Sequence, residues 1–347
     1  MLIPFKLIPD NLHINFINKR HYAFIFSTIL TIFVLVNTAI NGLNLGIDFS
    51  GGTLIEMTVQ EQYSAEDLRQ IISAQKYGNF SIQEYKHQRR SEKLDKKQPN
   101  QQSADSRITN PSKNMGANTM THEEIKHQGP ENRRFILRLP PSLDGSRISS
   151  LKTLLIKEFS ATLDRVEYVG PKVGSGFMLN AISALSIALV VMMMYTWSRF
   201  DWQFGVGVIV ALFHDAIATI GFYSVTRYEF DLTSIAALLT IIGYSINDSM
   251  VIYDRIRENL RKYVRQDFNK IINISVNETL ARTVMTVLTT ILVCITLAIF
   301  GGQHLKGFSL ATLFGIAFGT YSSIYISAPI LTLLNTRKLK RTQIYTQ

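Results

Sequence analysis

Apolar residues gather along this chain into six long runs: Tyr22–Ile40, Phe177–Thr196, Phe204–Val225, Leu232–Tyr253, Arg282–Phe300 and Phe308–Leu334. Each is close to or above the roughly 18–20 residues with which a helix crosses a hydrocarbon core about 30 Å thick. In lipid every backbone polar group must be satisfied within the segment, so each run is predicted to be a spanning helix. The first run follows Lys19 and Arg20, as a signal peptide's apolar segment would. It is long for that role, and it leaves through Asn37-Thr38-Ala39-Ile40-Asn41-Gly42 without a small-x-small cleavage pattern. It is predicted to be a retained signal anchor.

Residues 41–176 follow a different pattern. Thr53–Val59 alternates apolar and polar positions, the period of a half-buried strand. Ser64-Ala65-Glu66-Asp67 has the form of a capping box and predicts a helix to about Gln75, with Leu68, Ile71 and Ile72 on one face. Phe80–Tyr85, Phe135–Leu139 and Arg165–Val169 read as further strands, and Ser149–Phe159 as an amphipathic helix. The order βαββαβ predicts a ferredoxin-like α+β unit. Residues 86–132 interrupt it with Gln, Asn, Ser, Lys and Arg and almost no large apolar side chains. That composition buries too little surface to offset ordering entropy, so a disordered insertion is expected there.

Hydrophobic residues make up 46% of the chain, an ordinary figure that hides the clustering. The net charge of +10 raises the question of nucleic acid. Position answers it. Lys19, Arg20, Arg199, Arg255, Arg257, Arg261, Lys262, Lys270, Arg282, Arg337 and Lys338 all flank one side of the predicted spans, and the short loops opposite hold only Arg227 and Lys306. This is the positive-inside pattern, and it predicts that both termini are cytoplasmic and that residues 41–176 lie outside. The external stretch is nearly charge-balanced, so no nucleic-acid partner is expected. The single cysteine, Cys294, lies in an apolar run and excludes an intramolecular disulfide.

The candidate chemistry is sparse. Asp248 stands in the fourth run, about 8 Å inside its Tyr253 end at 1.5 Å per residue. A carboxylate there costs roughly 2.5–3.5 kcal/mol on insertion scales, and such groups usually face a bundle interior or a water-filled path. Asp248 is therefore read as an ion-coupling group, or else as a hydrogen bond pinning two helices; Asn247 is the nearest candidate to share its site. Asp215, beside His214 in the third run, either extends a proton path or forms a satisfied interhelical pair. Arg282, which opens the fifth run, is a cytoplasmic anchor or a functional cation. Paired membrane aspartates raise an intramembrane protease as a rival, but Ser245-Ile246-Asn247 replace the expected Gly-x-Gly before Asp248. No Gly-Lys-Ser/Thr follows Gly46, Gly51 or Gly52, so no nucleotide loop is expected. No enzymatic activity, metal or cofactor is expected.

Two motifs carry a resemblance. Leu45-Gly46-Ile47-Asp48-Phe49-Ser50-Gly51-Gly52 follows the first run, and Gly243-Tyr244-Ser245-Ile246-Asn247-Asp248-Ser249-Met250-Val251-Ile252-Tyr253-Asp254-Arg255-Ile256-Arg257-Glu258-Asn259 closes the fourth. Together with Thr279-Leu280-Ala281-Arg282-Thr283 and Phe300-Gly301-Gly302, they resemble the SecF family of the bacterial SecD–SecF protein-export complex. The polar insertion departs from the family pattern. The resemblance implies a six-span half of a resistance-nodulation-division (RND)-type bundle in the bacterial inner membrane, with one ferredoxin-like external domain between the first two spans. It implies a SecD-like subunit, the SecYEG translocon and a translocating preprotein as partners, with YajC as a further candidate. It implies export assistance driven by the ion-motive force, through H⁺ or Na⁺. It marks Gly46, Asp48, Gly51 and Gly52 as the signature turn, and it gives functional weight to Arg282, whose guanidinium would pair with an ionised Asp248. The alternatives are a subunit of an RND-type small-molecule exporter and a structural scaffold for the translocon.

Overall fold

The computed structural model describes residues 13–75, 77–78, 80–85 and 133–334. The expected insertion at 86–132, the first twelve residues and the basic tail at 335–347 lie outside the described residues. The chain divides into two compact units, Gly52–Tyr168 and the remainder. The smaller unit lies within the stretch 41–176 expected to be external.

The smaller unit is built from β1 (Gly52–Val59), α3 (Ala65–Ala74), β2 (Ser81–Tyr85), β3 (Arg133–Leu139), α4 (Gly145–Phe159) and β4 (Thr162–Val169). Its sheet order is β2-β3-β1-β4, the ferredoxin-like arrangement that the element order predicts. β1 runs antiparallel to β3, with Ile55 opposite Leu137 and Met57 opposite Phe135. These residues pack with Leu68, Ile72, Leu151, Leu155 and Phe159 into one fully buried core. β1 is buried almost along its whole length rather than on alternate residues, as befits a central strand. The predicted capping box is present. Ser64 Oγ accepts from the Asp67 N–H, while the Asp67 carboxylate accepts from the Ser64 N–H at 2.7 Å. The Ser64 N–H, and after it the Ser64 hydroxyl, which donates to Asp67 Oδ2 at 2.7 Å, hold the Asp67 carboxyl below the usual aspartate range. Its contribution to stability is therefore present above the unfolded-state value of about 3.9 and fades as pH falls through the lower folded value. Wild-type chain should lose part of its thermal stability in that acidic window, and Ser64→Ala, which removes the hydroxyl bond but keeps the backbone one, should reduce this dependence in part in unfolding curves recorded from pH 6 downward.

The larger unit holds six helices long and apolar enough to span a membrane: Ile17–Asn41, Pro171–Arg199, Trp202–Thr226, Leu232–Lys262, Phe268–Phe300 and Leu305–Leu333. They contain α1 (Arg20–Asn41), α5 (Pro171–Arg199), α6 (Trp202–Thr226), α7 (Leu232–Lys262), α8 (Phe268–Phe300) and α9 (Gly302–Ser322). After α9 come a π-turn at Ser323–Ser327 and the short α10 (Ala328–Leu333). α6, α7 and the sixth span are half to two-thirds buried, whereas α1, α5 and α8 are mostly exposed. Small residues set the close contacts. A side chain at Gly207 would overlap the Tyr253 hydroxyl, and one at Gly315 would overlap Ile241.

Two helices outrun the predicted spans. α7 continues past Tyr253 to Lys262, and α8 begins at Phe268 rather than Arg282. Both extensions interleave charged and amide residues with apolar ones, so no continuous apolar run marks them. Ile256, Leu260, Ile271, Ile272 and Val276 share one buried cluster, and polar pairs join the two extensions as well. Arg255 Nε donates to Glu278 at 2.8 Å, and Asn259 Nδ2 donates to Glu278 at 2.6 Å and to Ser275 Oγ at 3.0 Å. Arg282 consequently lies well inside α8 rather than opening it.

Candidate ion-coupling site

Asp248 sits on α7 with Ser245 and Ser249 three residues before and one after, on the face that α7 turns into the bundle. Only 7% of Asp248 is exposed. Its Oδ1 accepts from Thr283 Oγ1 on α8 at 2.6 Å, and its Oδ2 accepts from Ser323 Oγ at the start of the π-turn. Asp215 on α6 is fully buried. Its Oδ2 accepts from Ser245 Oγ of α7 at 2.5 Å and from Ser322 Oγ of α9 at 2.7 Å, and its Oδ1 lies 3.2 Å from His214 Nδ1. Four helices thus converge on two carboxylates, and hydroxyls supply most of the contacts.

Neither expected neighbour of Asp248 is in this arrangement. Asn247 is exposed on α7, and Arg282 is exposed on α8. Among the described residues no ion pair or hydrogen bond joins either to Asp248. The cause is rotational: adjacent helical residues are turned about 100° apart. Thr283, next to Arg282, reaches the carboxylate. Ser245, Thr283, Ser322 and Ser323 are the site residues that the sequence reading passes over. The signal for Ser322 and Ser323 is the run of hydroxyl residues Thr320-Tyr321-Ser322-Ser323 in the sixth span, since polar side chains in a spanning helix usually bond across helices. Ser245 and Thr283 stand in no such run and carry no such signal.

The π-turn has a local cause. Pro329 lacks an N–H, and its ring crowds the carbonyl four residues back, so a regular helix cannot run through it unaltered. The strain is absorbed just upstream. The Ser323 N–H is shared between the carbonyls of Gly319 and Thr320, and the Ala328 N–H reaches back five residues to Ser323. Such π-turns are frequent at functional sites. Among the described residues no group of three His, Cys, Asp or Glu is placed to hold a metal. Cys294 is buried and free on α8.

The signature turn occupies the other end of α7. After α1 the chain turns at Gly42 and forms α2 (Ile47–Ser50), a short helix that the sequence pattern does not announce. The Gly46 N–H donates to Phe230 O at 2.8 Å, and a side chain at Gly46 would press on Glu229 and Asp231. Asp48 Oδ2 accepts from the Leu232 N–H at 3.1 Å, supplementing the cap that Asp231 forms with Ser234. Asp48 thus places negative charge at the N-terminus of the helix that carries Asp248, where the helix dipole favours it. Gly51 takes φ 70° with Pro171 of α5 against it, and Gly52 takes φ 125° at the start of β1. Asp48→Ala is expected to cost about 1 kcal/mol or less of stability, read as a fall of a few degrees at most in the unfolding midpoint of the full chain.

Comparison with known proteins agrees with this architecture. Residues 151–337 match the family described as "Protein export membrane protein SecD/SecF, C-terminal". Residues 38–62, which contain Gly46, Asp48, Gly51 and Gly52, match the "SecD/SecF GG Motif". A protein translocase subunit SecF of Rickettsia bellii (strain OSU 85-389) is 36% identical over 345 residues, covering 98% of this chain and 99% of the relative. Another, from Rickettsia canadensis (strain McKiel), is 37% identical over 342 residues, covering 97% and 96%. The crystal structure of SecDF from Thermus thermophilus superposes with a TM-score of 0.77 at 32% identity over 95% of this chain. A SecDF structure in the super-membrane-facing form gives 0.64 at 32% identity over 99%. This chain spans only 40% and 41% of those two SecDF chains. With a family match over more than half its length and full-length relatives above 30% identity, the chain belongs to the SecF family of protein translocase subunits.

Proposed function

We propose that this chain is the SecF-type half of an inner-membrane export motor that uses the ion-motive force to promote preprotein movement across the membrane and release from it. A SecD-like subunit supplies the other half, because the matched SecDF chains are more than twice as long as this one. SecYEG and YajC are the further partners that the family relationship brings into view. The orientation has both termini in the cytoplasm and residues Gly52–Tyr168 outside, in keeping with the Lys and Arg distribution. Arg282, exposed on α8, is available to a partner subunit or to a rearranged state rather than to the resting site.

One observation carries the mechanism: Asp248 is buried across three helices and bonded only to uncharged hydroxyls. A hydroxyl donates to a carboxylate and accepts from a carboxylic acid. The shell around Asp248 therefore serves both protonation states, whereas a bound arginine serves only the ionised one. Taking up and releasing an ion here changes which helix contact is favoured between α7, α8 and the sixth span. That change is the working step passed to the external unit. The rival exporter reading draws on architecture alone, and on the scaffold reading Asp248 only pins helices together, a task that a neutral amide would perform equally well. In inverted vesicles holding the chain with its SecD-like subunit, preprotein export should accelerate when a proton gradient is imposed on top of ATP. An export rate indifferent both to that gradient and to an imposed sodium gradient would refute the motor.

A further inference from the structure

Ser322 and Ser323 are neighbours in one helical segment, yet their hydroxyls serve different carboxylates. Ser322 Oγ lies 2.7 Å from Asp215 Oδ2, and Ser323 Oγ bonds Asp248 Oδ2. Both serines are fully buried. Each hydroxyl has a second acceptor on its own helix. Ser322 Oγ is 3.0 Å from Gly319 O, and Ser323 Oγ is 2.9 Å from Thr320 O. A hydroxyl carries one proton and donates it to one acceptor at a time. An ionised carboxylate takes that proton, because charge-assisted bonds are the stronger ones. A protonated carboxyl instead donates its own O–H to the serine oxygen, and the serine proton turns to the backbone carbonyl. Those carbonyls, Gly319 O and Thr320 O, are the two that share the Ser323 N–H where the helix passes into its π-turn.

We propose that Ser322 and Ser323 are positioning residues that couple the protonation of Asp215 to that of Asp248 through the backbone register of the sixth span. Loading one of the two carbonyls with a hydroxyl bond weakens its hold on the Ser323 N–H, which moves toward the other. The second serine is then displaced relative to its own carboxylate. The proton itself comes from the gradient and stays on a carboxyl oxygen; no covalent bond in the helix changes. The groups facing the pair from the packed elements are His214 on α6, the hydroxyls of Ser245 on α7 and Thr283 on α8, and Tyr321, whose ring centroid lies 6.3 Å from that of His214. The inference rests on the reading that Asp248 changes protonation during function, and it gives Asp215 a place in the same cycle.

The test is infrared titration of the carboxyl bands in the full-length chain, purified into lipid with whatever subunits accompany it. Asp215→Asn and Asp248→Asn assign the two bands by removing them. In the parent chain, Asp248→Asn should move the Asp215 titration midpoint by about half a pH unit or more, as expected for members of one hydrogen-bond network. In the Ser322→Ala/Ser323→Ala background that displacement should vanish, and Ser323→Thr, which keeps the hydroxyl, should restore it in the Ser322 chain. Thr283→Ala, which strips Asp248 of its other hydroxyl without touching the sixth span, should alter the Asp248 band and leave the coupling intact. A displacement that survives the double serine change is through-space and overturns the proposal. So does the absence of any displacement in the parent chain, or its equal loss in Thr283→Ala. An export defect is not the readout. Failure of the motor reading would show instead as gradient-independent export with the infrared coupling still present.

Discussion

Asp248→Asn abolishes the response of export to an imposed ion gradient while the chain still accumulates and assembles at normal levels. The geometry explains both halves of that result. Asparagine keeps the shape of aspartate: its Oδ1 accepts from Thr283 Oγ1, and its amide can donate to Ser323 Oγ, so the contact between α7, α8 and the π-turn survives. What it loses is the ability to gain and release a charge. The electrical part of a gradient contributes about 2.3 kcal/mol per charge per 100 mV. Losing one coupled charge at about 100 mV therefore lowers the directional bias by about 40-fold, at 1.4 kcal/mol per factor of ten. Asp248→Glu keeps the charge but adds a methylene to a packed site and should retain part of the response. Export is read as protease-protected preprotein in inverted vesicles with and without the gradient. Gradient-stimulated export by the asparagine variant at the parent rate contradicts the assignment.

Gly52→Ala is the second large effect, and it acts on the smaller unit. Gly52 has φ 125°, a region that residues with a Cβ rarely enter, and a Cβ there would overlap the carbonyl oxygen of Leu139. Leu139 is the register partner of Thr53, so relief requires opening the β1–β3 pair at that end. The backbone strain alone costs about 1–3 kcal/mol, and the overlap adds to it. Limited proteolysis of the full chain in vesicles should show Gly52–Tyr168 cut far faster than in the parent. Gly145→Ala, at the first turn of α4 with open space around it, is the control and should stay within about 0.5 kcal/mol of the parent. Equal protease resistance of the two variants would mean that the turn tolerates a side chain.

Much of this structure was readable from pattern because the dominant constraints are simple. Six apolar runs must be helices in lipid, and each is one. The capping box at Ser64 and Asp67 and the alternation in Thr53–Val59 are local signals, and they place α3 and β1 to within a residue or two. The extensions of α7 and α8 escape notice because their apolar residues, Ile256, Leu260, Ile271, Ile272 and Val276, are interleaved with polar ones, and their support comes from partners across the gap, Arg255 and Asn259 with Glu278 among them. At the site, the carboxylate is legible and its surroundings are not. Asn247 and Arg282 are adjacent in sequence to groups that matter, but a helix turns each of them away from the interior. Which of two neighbouring residues faces inward depends on packing between helices, and a single apolar run does not encode it strongly. The serines carry the same lesson in reverse. Ser322 and Ser323 look like tolerated small residues until the third and fourth spans are seen to bring Asp215 and Asp248 against them.

As the coupling group, Asp248 cycles between charged and neutral forms as export proceeds in the proposed mechanism. Infrared difference spectroscopy on the assembled complex, recorded while the ion gradient is switched on and off, would follow that cycle. A carboxyl carbonyl band should rise and fall with the gradient and be missing from the Asp248→Asn chain. An Asp248 carboxyl that keeps one protonation state throughout gradient-driven export would contradict that mechanism.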